Sequence, residues 1–341
     1  MKVKFKIYHL PLKHPFTISR YTVKTQSTVI VNLSDGKYTG YGEATINPYY
    51  DSTIKKLQNS ILLSKPILEK SDDLKPTELW CKLEPLLKED YFALCAIDCA
   101  FWDLFDKKNN RTLRSYWSNE SSQLPLTNYT IGIDSIENMT KKIIEQPWPI
   151  YKIKLGKPND IAIVKALRQA TKSAFRIDAN CAWSVKETLE KSIKLKQLGV
   201  EFIEQPLKKD DWEGMKILNK KCVLPIIADE SGQRMNDVNL CIESFNGINI
   251  KLMKCGGITP ALEMITKARE KNLLVMAGCM TESTIGISNL AQMASLLDFI
   301  DADGALLLEH DIAKGVSFQN GKIIFSNENG SGAELLKSRI N

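Results

Sequence analysis

Residues 151–206 read YKIKLGKPNDIAIVKALRQATKSAFRIDANCAWSVKETLEKSIKLKQLGVEFIEQP. Three short apolar runs, YKIKLG, FRIDAN and EFIEQP, alternate with two amphipathic stretches, IAIVKALRQATK and SVKETLEKSIKLKQLG. The runs have the length of strands, and the stretches carry apolar residues at helical spacing. The segment therefore predicts strand, helix, strand, helix, strand, with the strands parallel. Each strand closes on charge: Lys152 and Lys154, then Asp178, then Glu204.

The same alternation continues outward on both sides. LTNYTIGID supplies a strand before this segment, and LPIIADE, GINIKLM, LLVMAG and LDFIDAD supply four after it. Eight strands with helical crossovers predict a modified (β/α)8 barrel, TIM-like in its (β/α)7β form, with its site at the C-terminal strand ends. A doubly wound open sheet is the competing α/β reading, but no glycine-rich dinucleotide loop follows a first strand. Residues 1–60 read as β structure: KVKFKIYHL alternates, STVIVNLSDG runs into a turn, and YTGYGEA is the returning arm. Residues 52–116 read as helices, and ALCAIDCAFWDLFDKK is apolar on most sides and so predicted to be buried. The expected organisation is an α+β capping domain over 1–120 and the barrel over 121–312. A C-terminal segment, 313–341, would form a hairpin in GVSFQNGKIIFSNENGSG and return to the cap.

Composition narrows the chemistry. The chain has 341 residues, 46 Lys and Arg against 40 Asp and Glu, and 43% hydrophobic residues, enough for a sizeable core. The charges are interspersed rather than clustered, so no nucleic-acid partner is expected. No apolar run can span a bilayer and the N-terminus reads as a strand, so a cytoplasmic protein without a membrane partner is expected. The eight cysteines contain no C-x-x-C pair, and Cys95 and Cys99 sit four apart in the apolar helix as core residues. The only histidines are His9, His14 and His310, which argues against a histidine-rich metal site or a serine–histidine triad. Carboxylates and lysines are left to do the chemistry. A homo-oligomer is compatible with the sequence.

The strand ends supply those groups in phase. Lys154 to Asp178 is 24 residues, Asp178 to Glu204 is 26, Glu204 to Asp229 is 25 and Asp229 to Lys251 is 22. Each step is about one strand–helix unit. The residues are therefore expected at one height on neighbouring strands. Charges inside apolar strands are costly unless paired or bound to metal. A barrel mouth plugged by ion pairs would explain any one of them; five in phase favour a functional site. Asp178, Glu204 and Asp229 offer hard oxygen ligands without histidine or cysteine, which suits Mg2+, with Mn2+ as a substitute, better than zinc. Lysines beside such a site can serve as general bases, and one ammonium beside another, as Lys152 is beside Lys154, lowers a lysine pKa toward neutrality.

These residues carry a resemblance to the enolase superfamily, in its muconate-lactonizing-enzyme-like subgroup. It rests on GYGEA (40–44), AIDCAFWDL (96–104), KIKLG (152–156), RIDANCAW (176–183), EFIEQPL (201–207), ADES (228–231) and IKLMKCGGIT (250–259), and so spans nearly the whole chain. The lysine-with-magnesium chemistry is an established feature of that superfamily, not a deduction from this sequence. The resemblance implies that Asp178, Glu204 and Asp229 are metal ligands. It implies that Lys154 and Lys251 are opposed acid/bases, with Lys152 tuning Lys154. Asn180 and Glu230 would orient ligands from behind, and Lys254 would be structural.

The subgroup hosts several reactions. Asp301-Ala-Asp303 after the eighth strand is similar to the D-x-D of dipeptide epimerases, where it pairs with the substrate's α-ammonium group. The implied substrate is a small dipeptide, epimerised at its C-terminal residue through a metal-stabilised enediolate. The alternatives are an N-acyl amino acid racemase or an o-succinylbenzoate synthase of the same subgroup, or a catalytically silent barrel used as a scaffold. Side-chain preference would come from mobile loops of the cap, HPFTISRYTVKTQ (14–26) and NPYYDST (47–53). There Arg20 or Lys24 would receive an acidic side chain, or Tyr21, Tyr49 and Tyr50 would line an apolar pocket.

Overall fold

The computed structural model describes residues 1–117 and 123–336; the expected domain boundary at residues 120 and 121, and residues 337–341 of the C-terminal segment, lie outside them. The cap opens with an antiparallel meander of β1 (Lys2–Thr17), β2 (Thr22–Ser34) and β3 (Thr39–Thr45). The segment expected as a loop over 14–26 is mostly strand. The β1–β2 register slips between Pro11 and Phe16, where prolines cannot donate to a ladder, and pairing then resumes. Only residues 18–21 form the hairpin tip, closed by Ile18 N donating to Tyr21 O at 3.0 Å. Residues 48–50 form a single 3-10 turn capped by the Asn47 side chain.

Three helices follow: α1 (Ile54–Leu68), α2 (Pro76–Leu87) and α3 (Tyr91–Lys108). Fourteen of the 18 residues of α3 are buried, which its nearly uniform apolarity requires. Gly40 and Gly42 of β3 let this helix lie directly on the strand. A Cβ at Gly42 would fall 1.9 Å from Ala96 O, and one at Gly40 2.1 Å from Ala100 O. Cys95 and Cys99 are buried in the same helix as free thiols.

The barrel is built from eight parallel strands, paired in chain order. They are β4 (Tyr129–Ile131), β5 (Ile150–Lys154), β6 (Ala174–Asp178), β7 (Val200–Glu204), β8 (Ile226–Ala228), β9 (Gly247–Ile250), β10 (Leu274–Gly278) and β11 (Phe299–Asp301). Helices α4 (Ile136–Glu145), α5 (Asp160–Ala170), α6 (Val185–Gln197), α7 (Trp212–Lys221) and α8 (Met235–Ser244) fill the first five crossovers. The short α9 (Leu252–Cys255) with α10 (Ile258–Glu270), and then α11 (Thr284–Ala291), fill the next two. No α-helix follows β11 among the described residues, so the barrel has the (β/α)7β form. None of the described helices is long and apolar enough to cross a membrane.

Cap and barrel meet through α3. Asp98 accepts from Thr259 N at 2.9 Å and Thr259 Oγ1 at 2.7 Å, and Trp102 Nε1 donates to the same hydroxyl at 2.9 Å. Asp98 thus lies at the N-terminus of α10, where a carboxylate is favoured.

The seam between β11 and β4 is made differently from the other seven. Its ladder is a single bridge, Thr127 to Ile300. The remaining contacts use side chains: Ala302 N donates to Thr127 Oγ1 (2.9 Å), Asn128 Nδ2 to Asp301 Oδ1 (2.7 Å) and Thr130 N to Asp303 Oδ2 (2.5 Å).

The C-terminal segment forms β12 (Ala313–Lys314), paired with β15 (Glu334–Leu335), and a hairpin of β13 (Ser317–Gln319) and β14 (Lys322–Ile324). The hairpin turns on Asn320-Gly321, both at positive φ. It packs under the barrel, where Gly321 O accepts from Thr127 N at 2.9 Å. Contact with the cap comes later, from Ser331 N and Oγ to Asp103 Oδ1 on α3, at 2.7 and 3.0 Å.

Candidate active site at the barrel mouth

The strand register brings the charged residues together, but not at one rung of the ladder. Lys154, Asp178 and Glu204 are level with one another. Glu204 pairs with Ile227, two residues short of Asp229. Ala228 pairs with Ile248, so Asp229 in turn stands two short of Lys251. The climb is four residues over four strand-to-strand steps. That is the one-per-strand stagger of an eight-stranded barrel of shear 8, so tilted strands carry all five residues to one height along the axis. Lys154 ends β5 and Lys251 follows β9, four strands apart in eight, so they stand across the mouth from each other.

Oxygens of Asp178, Glu204 and Asp229 lie within 4.8 Å of one another, all buried. Each carboxylate is pinned by one oxygen. Asn180 N donates to Asp178 Oδ1 (2.9 Å), Asn249 Nδ2 to Glu204 Oε1 (2.8 Å) and Lys254 Nζ to Asp229 Oδ1 (2.7 Å). The other three oxygens are faced by the remaining lysines. Asp178 Oδ2 lies 2.6 Å from Lys154 and 3.3 Å from Lys152, Glu204 Oε2 lies 2.7 Å from Lys152, and Asp229 Oδ2 lies 2.9 Å from Lys251. Glu204 Oε2 has no hydrogen bond of good geometry despite its ion pair.

Burial would raise all three acids. At Asp178, Lys154 and Lys152 override it; at Asp229, Lys251 and Lys254 do, and both stay below the usual carboxylate range. At Glu204 burial and the neighbouring Asp178 win, and its carboxyl is pushed up to about 7. A buried set of carboxylate oxygens, one of them without a hydrogen bond and with no histidine or thiolate among them, fits a hard divalent cation such as magnesium.

Lys152 has more tasks than standing beside Lys154. It is fully buried and contacts Asp178, Glu204 and Asp301, the last at 2.8 Å. Burial would discharge it, but these carboxylates hold it protonated. Asp301 is held below the usual range by the same lysine, which overrides burial. Asp303 has no such cation; burial and Asp301 push it up to about 8. Both aspartates line the pocket, with Cys279 beside them.

Cap residues roof the pocket. Ile18, Arg20 and Tyr21 come from the hairpin tip, and Asn47 and Tyr50 from the 3-10 turn segment. Lys24 does not line it; period-two alternation from Val23 turns Lys24 to solvent. Arg20 lines the pocket but is already engaged. Its Nη2 lies 2.7 Å from Glu230 Oε1, its Nη1 donates to Asn180 O at 3.0 Å, and its guanidinium sits 4.2 Å from the Tyr49 ring. Asn180 reaches Asp178 through its backbone N–H, from a left-handed conformation, while its side chain donates to Glu230 at 3.3 Å. Glu230 therefore braces Arg20 and Asn180 and makes no hydrogen bond to Asp178, Glu204 or Asp229 itself.

Asn249, Asn128 and the holding role of Lys254 are not conspicuous in the sequence. Asn249 stands two residues before Lys251 and Asn128 two before Thr130, so strand period placed both inward, but an uncharged amide in a strand raises no alarm. Lys254 donates to Asp229 O, Gly232 O and Asn249 O besides the Asp229 carboxylate, so it anchors the turn and that carboxylate together.

The family model described as mandelate racemase / muconate lactonizing enzyme, N-terminal domain, matches residues 2–115, and the enolase C-terminal domain-like model matches 135–339. An L-Ala-D/L-amino acid epimerase of Flavobacterium johnsoniae is 49% identical over 336 residues, covering 98% of this chain and 100% of that protein. The substrate-liganded L-Ala-D/L-Glu epimerase of Bacillus subtilis superposes with a TM-score of 0.92 at 28% identity, covering 98% of each chain. A dipeptide epimerase of Enterococcus faecalis, complexed with Mg and L-Leu-L-Tyr, gives 0.90 at 30% identity, covering 97% of this chain and 98% of that one.

Proposed function

The chain belongs to the mandelate racemase / muconate lactonizing enzyme family of the enolase superfamily, and on that premise we propose that it is a magnesium-dependent dipeptide epimerase acting at the C-terminal residue. One observation carries the reading: the order of groups around the mouth. The three carboxylates on β6, β7 and β8 occupy one side, and Asp301 and Asp303 at β11 lie opposite β7. Lys154 and Lys251 flank the axis between them. A dipeptide laid across the mouth would set its carboxylate on the first side and its ammonium on the second. Its C-terminal α-carbon then falls between the two lysines.

Asp178, Glu204 and Asp229 would hold magnesium, which supplies the charge that fixes the substrate carboxylate and favours loss of the adjacent proton. One lysine Nζ removes the α-proton, and the other, on the opposite face, returns a proton. Inversion needs two bases, because a single base would hand its proton back to the face it came from. Lys152, held by Asp301, Glu204 and Asp178, links the two ends of the pocket and keeps its charge close to Lys154. The buried acid pair at β11 counts against an N-acyl amino acid racemase or an o-succinylbenzoate synthase, whose substrates bring no ammonium to it. The paired lysines count against a silent scaffold.

Arg20 supports a reading of the side-chain preference. To receive an acidic side chain it would have to leave Glu230, stranding a buried carboxylate at a cost of roughly 3–5 kcal/mol. The subsite under the hairpin tip is thus nearly neutral and walled by Ile18, Tyr21 and Tyr50, which favours an uncharged second residue. A panel of free dipeptides in deuterated buffer with magnesium tests the proposal. Inversion with solvent deuterium incorporated at the C-terminal α-carbon is expected, abolished by chelation. Absence of exchange across the panel would refute it.

A further inference from the structure

Of the three carboxylates, only Glu204 is pinned by a neutral side chain. Asn249 is fully buried on β9, on the same face as Lys251, and its Nδ2 donates to Glu204 Oε1 at 2.8 Å. Its Oδ1, also buried, has no hydrogen-bond partner. The carboxylate fixes this orientation, since the amide oxygen cannot face another acceptor. An unsatisfied buried oxygen costs stability, so the residue is kept for what its amino group does.

The neighbouring strand is shaped around it. A Cβ on Gly278 of β10 would fall 2.7 Å from Asn249 Oδ1 and 2.8 Å from Nδ2. Any side chain at 278 would push the amide off Glu204. Charge explains the choice of amide. A lysine here would add another ion pair and weaken the pull of the set on a cation. An aspartate would repel Glu204. The amide holds one oxygen without adding a charge that would neutralise the carboxylate, and leaves Oε2 unclaimed by any hydrogen bond. Glutamate has one more rotatable bond than the aspartates beside it and most needs such a holder.

We propose that Asn249 is a positioning residue for the metal site, that it sets cation affinity by fixing Glu204, and that Gly278 is glycine to admit it. The inference rests on Asp178, Glu204 and Asp229 being the magnesium ligands. Mn2+ binding to the full-length protein, followed by the electron paramagnetic resonance signal of free Mn2+ and by Mg2+ competition, tests it directly. Asn249→Ala and Gly278→Ala, on different strands, should each weaken Mn2+ binding roughly ten- to a hundredfold, the usual effect of losing a group that orients a ligand. The magnesium needed for half-maximal turnover should rise by the same factor. A purely structural role would lower the melting temperature and the turnover number without moving either titration. Folded variants that bind Mn2+ within about twofold of the parent would overturn the inference, since a holder is worth more than that. So would loss of folding in both, which would make the pair core packing. If only one folds, its titration decides. A parent that binds no Mn2+ would overturn the metal assignment itself.

Discussion

Asp303→Asn should separate substrate recognition from the integrity of the site. The asparagine keeps an oxygen for Thr130 N, so the seam contact at β4 survives. It leaves Lys152 undisturbed, because that lysine pairs with Asp301 and not with Asp303. What it removes is an acid that can ionise when an ammonium binds beside it. A hydrogen bond to a charged group contributes about 1.5–3 kcal/mol net, so kcat/KM for a free dipeptide should fall roughly ten- to a hundredfold. N-acetylating the dipeptide deletes the other half of the same contact. The two changes should therefore combine to much less than the product of their separate effects. Stability offers a second readout. Burial and Asp301 hold the native Asp303 proton up to about pH 8, whereas an unfolded aspartate loses it near its ordinary value. The native state binds more protons across that window, so the parent loses stability from this group as pH rises through it. Asp303→Asn should lose less. The assay is kcat/KM for one dipeptide, free and acetylated, on both proteins, with urea midpoints at several pH values. Equal losses on both substrates, or a parent that prefers the acetylated form, would refute the ammonium reading.

Lys154→Ala and Lys251→Ala should each abolish epimerisation, while one of them still exchanges the α-proton of a single enantiomer with solvent; two-way epimerisation in either would break the two-base mechanism. Asp98, pushed up to about 7 by burial, makes the native state bind the extra proton below that pH, so its stabilising share is lost as pH rises from the ordinary aspartate range toward neutrality. Asp98→Asn should flatten that part of the pH dependence, read as the change in urea midpoint between about pH 5 and about pH 8, and an unchanged slope would contradict the assignment. Arg20→Met should strand Glu230 and lower kcat/KM for every dipeptide, through Asn180 and the pocket roof; a loss confined to acidic second residues would show instead that Arg20 receives them.

The parts of this protein legible in its sequence are those where physics charges most for an exception. A lysine or carboxylate at the end of an apolar strand is conspicuous, and strand–helix spacing alone assembled Lys154, Asp178, Glu204, Asp229 and Lys251. The uncharged members of the same site were not conspicuous. Asn249 and Asn128 cost little in a strand, and nothing local reveals that each faces a carboxylate on another strand. The sequence understates the reach of β1 and β2 because Pro11 and Pro15 imitate a loop, whereas the strands slip past them and pair again up to Thr17 and Thr22. The pairing of Arg20 with Glu230 joins residues 210 apart, and only the closed fold brings them together.

The seam between β11 and β4 has an evolutionary implication. Where other neighbouring strands are joined by backbone ladders, this edge is joined by Asp301, Asp303, Thr127 and Asn128, two of which also line the pocket. Selection for a new substrate at β11 therefore acts on the same atoms that keep the cylinder shut. A lineage drifting from charged to acylated substrates would need a replacement joint, such as a longer ladder between these two strands, before or together with the loss of its aspartates. Laboratory evolution of this scaffold should accordingly succeed sooner from a starting protein in which that edge has first been reinforced elsewhere.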